Sequence, residues 1–88
     1  MSYPNVAVFG MTGCKYCRDA KALLTSQKAP FKYYKMDSDG IDYFKSIGIL
    51  PSDWDSVPII LVNGTLLGGY DTLVKRVPDL RRAMRKGR

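Results

Sequence analysis

The order of apolar patterns predicts an α/β fold: a four-stranded mixed sheet flanked by about three helices. Three observations carry that expectation. Two short runs rich in β-branched and aromatic residues bracket a segment of helical spacing. A continuous apolar run, Ile59-Ile60-Leu61-Val62, marks a strand buried on both faces. Asn63-Gly64 follows it directly and supplies the positive φ angles of a two-residue hairpin turn. A strand–helix–strand start requires a parallel pair with a right-handed crossover, and the hairpin adds two antiparallel strands.

Taken in order, Asn5 to Phe9 reads as the first strand, ended by Gly10. From Lys15 to about Lys28 the spacing of Ala20, Leu23, Leu24 and Gln27 predicts a helix with one apolar stripe, stopped by Pro30. Phe31 to Met36 alternates aromatic and lysine and suits a second strand near a sheet edge. Asp37 to Gly48 holds a short helix with Ile41, Phe44 and Ile47 on one face and a cap among Asp37, Ser38 and Asp39. Ile49 to Val57 reads as loop. Pro58 to Val62 is the buried strand, Thr65 to Leu67 its hairpin partner, and Gly68-Gly69 ends the hairpin. Asp71 then caps a last helix whose inner face is Leu73, Val77, Leu80 and Met84. Pro78 lies inside that helix and should kink or reset it, because it lacks the N–H that bonds one turn back.

The chain has 88 residues, room for one domain spanning 1–88, and its apolar fraction of 45% is ordinary for a modest core. No stretch approaches the roughly 20 apolar residues of a membrane span. The start, Met-Ser-Tyr-Pro-Asn, lacks the charged and apolar pattern of a secretory signal, so a cytoplasmic location is expected. There is no histidine and every one of the eight acidic residues is aspartate, which removes all His-based bases and ligand sets. The net charge of +6 is concentrated at one end. Lys75, Arg76, Arg81, Arg82, Arg85, Lys86 and Arg88 face a single acid, Asp79, while the rest of the chain is neutral overall. A solvated helix face is the plain reading of that end; attraction to an acidic protein or nucleic acid is the other.

Cys14-Lys15-Tyr16-Cys17 carries the sharpest chemistry. The pair lies after one strand and opens a helix, which sets Cys14 where unpaired N–H groups and the positive dipole end favour an anion. A thiolate is such an anion, and cysteines so placed ionise below the free value of about 8.5. Lys15 adds a positive charge nearby. Cys17, one turn in, is more shielded and close enough to attack a mixed disulfide on Cys14. Other readings of the pair are a zinc site, for which two cysteines without histidine are too few ligands, and a structural bridge, whose loop is too short to stabilise much. An iron–sulfur cluster shared between two chains is a third.

Ser56-Val57-Pro58 precedes the buried strand, and proline at the first residue of a strand is structurally ordinary. Gly68-Gly69-Tyr70-Asp71 is either a hairpin end and helix cap, or a glycine turn that brings a ligand carboxylate to a second helix N-terminus. Together the three motifs, in order and at compatible spacing over about residues 5 to 85, resemble the glutaredoxins. That family pairs Cys-Xaa-Tyr-Cys with a Thr/Ser-Val-Pro step and a hairpin ending in Gly-Gly-aromatic-Asp.

The resemblance implies a thioredoxin-like fold with a cis Pro58, and thiol–disulfide exchange through catalytic Cys14 and Cys17. It implies glutathione as reducing co-substrate, with no metal expected. Its binding set would be Lys15, Tyr16, Ser56, Val57, Pro58, Gly69, Tyr70 and Asp71. The backbone of Val57 would pair with the tripeptide, Tyr70 N–H and Asp71 would hold the γ-glutamyl end, and Tyr16 would line the groove. Disulfide-containing or glutathionylated proteins are the expected partners, ribonucleotide reductase among them by family analogy; a monomer is expected, and neither membrane nor nucleic acid as partner. Two positions depart from the pattern: Met11 stands where many relatives have Lys or Arg, and Lys15 where the commonest have proline. A chain driven by thioredoxin reductase and a dimeric iron–sulfur carrier stay open as alternatives.

Overall fold

The computed structural model describes residues 5–86, with side chains to Arg82. In chain order its elements are β1 (Val6–Gly10), α1 (Lys15–Ser26), β2 (Phe31–Lys35), α2 (Ser38–Ser46), β3 (Ile59–Val62), β4 (Thr65–Gly68) and α3 (Tyr70–Lys86). They form one four-stranded sheet in the order β2-β1-β3-β4. The β1–β2 pair is parallel, aligning Val8 with Tyr33; β3 runs antiparallel to both β1 and β4. This is the mixed sheet that the sequence predicts, with β2 on an edge.

The two faces of the sheet follow the period-two alternation of its central strands. Val6, Val8 and Ile60 point to one face, where they meet Ala20 and Leu24 of α1 and Leu73, Val77 and Leu80 of α3. Ile59 and Leu61 point to the other, with Ala7 and Phe9, against Ile41 and Phe44 of α2 and Leu50 and Trp54 of the following loop. Ile59 and Ile60 are both wholly buried, as a continuous apolar run at the centre of a covered sheet must be. The second face is thinner, for α2 contributes no fully buried residue.

Asn63 and Gly64 take φ of 54° and 81° and make the expected hairpin turn. In the hairpin Leu61 faces Leu66 while Ile60 faces Gly68, so Leu67 is the extra residue of a bulge that lets β4 extend one residue beyond the expected end. Asp37 caps α2, its carboxylate accepting from the Asp39 N–H at 3.1 Å.

The structure corrects four local expectations. Helix α1 ends at Ser26, before Pro30 comes into play: Lys28 adopts φ 55°, and the Ala29 N–H bonds back to the Leu24 carbonyl. Ile47 lies past the end of α2 and is 49% exposed instead of joining its apolar face. Asp71 is not the cap of α3. The helix opens at Tyr70, and the Gly69 carbonyl accepts its first bond, from the Leu73 N–H at 3.0 Å. Finally, α3 runs through Pro78 as one helix. Leu73, Val77 and Leu80 lie on one buried stripe spanning the proline, so both halves are held against the sheet. The side chain of Met84, expected on that stripe, lies outside the described residues.

The basic face of α3 is exposed at Lys75, Arg76, Arg81 and Arg82. Asp79 pairs there with Arg76 at 3.4 Å and with Arg82 at 3.7 Å. Ion pairs so open to water add little stability. The side chains of Arg85, Lys86 and Arg88 lie outside the described residues.

Candidate active site

The turn after β1 delivers Cys14 to the head of α1. Cys14 is the N-cap, extended at φ −91° and ψ 113°, and its Sγ accepts the Cys17 N–H at 3.1 Å. Serine, threonine, aspartate and asparagine usually fill that place; here sulfur does. Cys14 and Cys17 are joined by a disulfide, with Cα atoms 5.3 Å apart. Their exposures differ in the expected sense: Cys14 is half-buried, while Cys17 is 1% exposed beneath it. Only Cys14 Sγ is open to attack.

Space around the inner sulfur is set by Gly10 at the end of β1. A methyl group added there would lie 2.8 Å from Cys17 Sγ and 3.0 Å from its Cβ. Gly10→Ala is therefore expected to cost ~1–3 kcal/mol through overpacking. Thermal unfolding of the oxidised protein checks it; a neutral result would mean that the β1 end relaxes freely.

The second motif faces the first. Cys14 Sγ lies 3.8 Å from the Val57 carbonyl oxygen, a contact and not a hydrogen bond, since a disulfide sulfur has no proton to donate. The Val57–Pro58 bond is cis, as the resemblance implies, and Pro58 is wholly buried. From there an open groove of about 360 Å³ runs along Tyr16, Ser56, Val57 and Pro58 to Gly69, Tyr70 and Asp71. Seven of the eight residues expected to bind a ligand are thus brought together. The eighth, Lys15, is exposed on the first turn of α1 outside the lining, its Nζ 5.8 Å from the Tyr16 ring centroid.

Two lining residues escape the sequence reading, Trp54 and Thr72. Trp54 comes from the segment read only as loop; its indole N–H donates to the Ser56 carbonyl at 2.7 Å and fastens the loop beside Pro58. Being the sole tryptophan, two residues before Ser56, it was the one available signal. Thr72 locks the other end. Gly68 has φ 145°, and a Cβ there would strike Thr72 Cβ and Oγ1 at 2.6 Å. Of the two neighbouring glycines Gly68 is the obligatory one, since a Cβ on Gly69 would meet only ordinary contacts. Across the groove the rings of Tyr16 and Tyr70 stack at 5.6 Å, joining the first turns of α1 and α3.

At the far end, α3 begins at the groove. The N–H groups of Tyr70, Asp71 and Thr72 have no intrahelical acceptor, and all three residues line the cavity. Unpaired N–H donors beside the Asp71 carboxylate can hold an anionic and a cationic group side by side.

A dithiol–disulfide pair at a helix N-terminus, opposite a cis proline on a β2-β1-β3-β4 sheet, defines a thioredoxin-like thiol–disulfide oxidoreductase. The glutaredoxin family model matches residues 6–67. The chain belongs to the glutaredoxin family. Among solved structures it is similar to glutaredoxin 1 from Francisella tularensis, complexed with cacodylate, at 21% identity and TM-score 0.81, covering 90% of this chain and 98% of that one. The holo form of glutaredoxin C1 from Populus tremula × tremuloides is 31% identical, with TM-score 0.68 and coverage of 89% and 84%. A buckwheat glutaredoxin–glutathione complex is 25% identical, with TM-score 0.67 and coverage of 89% and 72%. No curated protein sequence matches the chain significantly.

Proposed function

We propose that the chain is a glutathione-dependent oxidoreductase that reduces protein disulfides and glutathione mixed disulfides. The observation that carries this reading is a groove that runs from Val57, whose carbonyl oxygen lies 3.8 Å from Cys14 Sγ, to the N-terminus of α3 at Asp71. A γ-glutamyl end presents a carboxylate and an ammonium on one carbon. The free N–H groups of the first turn suit the former and the Asp71 carboxylate suits the latter. The similarity to the buckwheat protein, whose structure is a glutathione complex, supports the same ligand.

In this reading the Cys14 thiolate attacks a substrate disulfide or the sulfur of a glutathionylated protein, and a mixed disulfide forms on Cys14. Cys17 or glutathione then resolves it, and further glutathione returns the pair to the dithiol. Such chemistry suits a reducing compartment, the cytosol, and a monomer suffices for it. Ribonucleotide reductase is a candidate acceptor of the electrons by family analogy alone.

The test is turnover of a small glutathione mixed disulfide coupled to glutathione reductase, set beside reduction of the chain by thioredoxin reductase. Turnover in the first assay is the expected result. Inactivity there with ready reduction in the second would keep the oxidoreductase and discard the glutathione site. Asp71→Asn is expected to raise KM for glutathione about 5- to 10-fold, because the amide oxygen still accepts from the ammonium but without the charge that strengthens the bond. Reduction of the same variant by dithiothreitol, which has no γ-glutamyl group, should be unchanged.

A further inference from the structure

Cys17 is the leaving sulfur when a thiol reduces the oxidised protein, and it is buried away from the water that would solvate the charge it then acquires. It is 1% exposed, and among the described residues no polar or charged side chain is buried beside it. An uncompensated thiolate there is costly, because a buried charge needs a partner. The N–H of Cys17 itself is already given to Cys14 Sγ. One side-chain hydroxyl borders the same space. The point above Gly10 that a Cβ would occupy is contacted by both Cys17 Sγ and Tyr33 Oη. Tyr33 stands on β2, across from Val8, with its ring packed on the edge of the larger core and partly open to solvent. Lys21, one turn after Cys17 on α1, sets its ammonium 4.1 Å from the centre of that ring and holds its orientation.

We infer that the Tyr33 hydroxyl is the hydrogen-bond donor that stabilises the Cys17 thiolate released when the Cys14–Cys17 disulfide is reduced. The step balances within the redox reading above, on which it rests. A reductant thiolate attacks Cys14 Sγ, and a bond forms between the two sulfurs. The Cys14–Cys17 bond breaks, and its electron pair leaves on Cys17 Sγ. Tyr33 O–H donates to that sulfur while the charge persists. In the reverse direction the same bond orients Cys17 for attack on a mixed disulfide at Cys14.

Tyr33→Phe removes the hydroxyl and keeps the ring, the packing and the face offered to Lys21. Two reactions with dithiothreitol separate the role. The first is reduction of the Cys14–Cys17 disulfide, with and without Tyr33→Phe, followed by quenching with an alkylating reagent and mass measurement. The second uses Cys17→Ser chains carrying glutathione on Cys14, where the leaving sulfur belongs to glutathione and Cys17 plays no part. A hydrogen bond to a charged group predicts a slowing on the order of 10-fold or more in the first reaction. The second should be unchanged by Tyr33→Phe. Equal rates with and without the hydroxyl in the first reaction overturn the inference, as does the same slowing in both, which would mark a general distortion. If the wild-type disulfide does not exchange with dithiothreitol at all, it is the redox reading that falls.

Discussion

Replacement of Cys14 by serine is expected to reduce thiol–disulfide exchange to the uncatalysed level, whatever the reductant. The attacking species must be an anion at neutral pH, and a serine hydroxyl does not ionise there. No second nucleophile can substitute. The other thiol is 1% exposed, and it lies beneath Cys14, away from an approaching disulfide. Cys17→Ser should behave differently. Exchange on a small glutathione mixed disulfide should persist if, as proposed, glutathione attacks the adduct on Cys14 from the groove. Reduction of protein disulfides should fall sharply where intramolecular resolution is needed. The check is both variants in both assays. An active Cys14→Ser chain would move the nucleophile elsewhere and dismantle the site described above.

Ile60→Ala should cost ~3–4 kcal/mol of folding stability, within the usual span for a large-to-small change at a fully buried site. Ile60 has no exposed surface; it pairs with Val8 on one side and Gly68 on the other, in the middle of the sheet. Its side chain enters the core that α1 and α3 share, and the neighbouring glycine supplies no side chain to fill a void. Total stability for a chain of this size is only about 4–13 kcal/mol. A loss of that order should lower the urea midpoint by roughly a quarter or more, with the slope unchanged. Urea unfolding of the oxidised forms of both proteins measures it. A loss below about 1 kcal/mol would mean that the helices close over the cavity.

Much of the architecture was legible because its signals are local. Strand β3 announces itself in four consecutive apolar residues, its turn in Asn63-Gly64, and the head of α1 in the placement of Cys14. The misplacements are equally physical. Lys28 is no glycine, yet it takes the left-handed conformation because the Ala29 N–H finds the Leu24 carbonyl. Asp71 has the side chain of a good cap, but the helix starts two residues earlier than such a cap would place it, once Gly68 has turned against Thr72. Pro78 breaks helices in isolation; here the buried stripe on both sides of it outweighs the missing hydrogen bond.

By itself the sequence determined the order of elements, the two reactive sulfurs and three of the segments that form the groove, since each rests on residue type and short spacing. Tertiary structure alone decided which side chains share a space. Trp54 joins the groove through its bond to Ser56, Lys15 stands outside its lining, and Tyr33 Oη and Cys17 Sγ border one space above Gly10. Those relations connect residues on different elements, and it is the register and packing of the sheet and helices that bring them together.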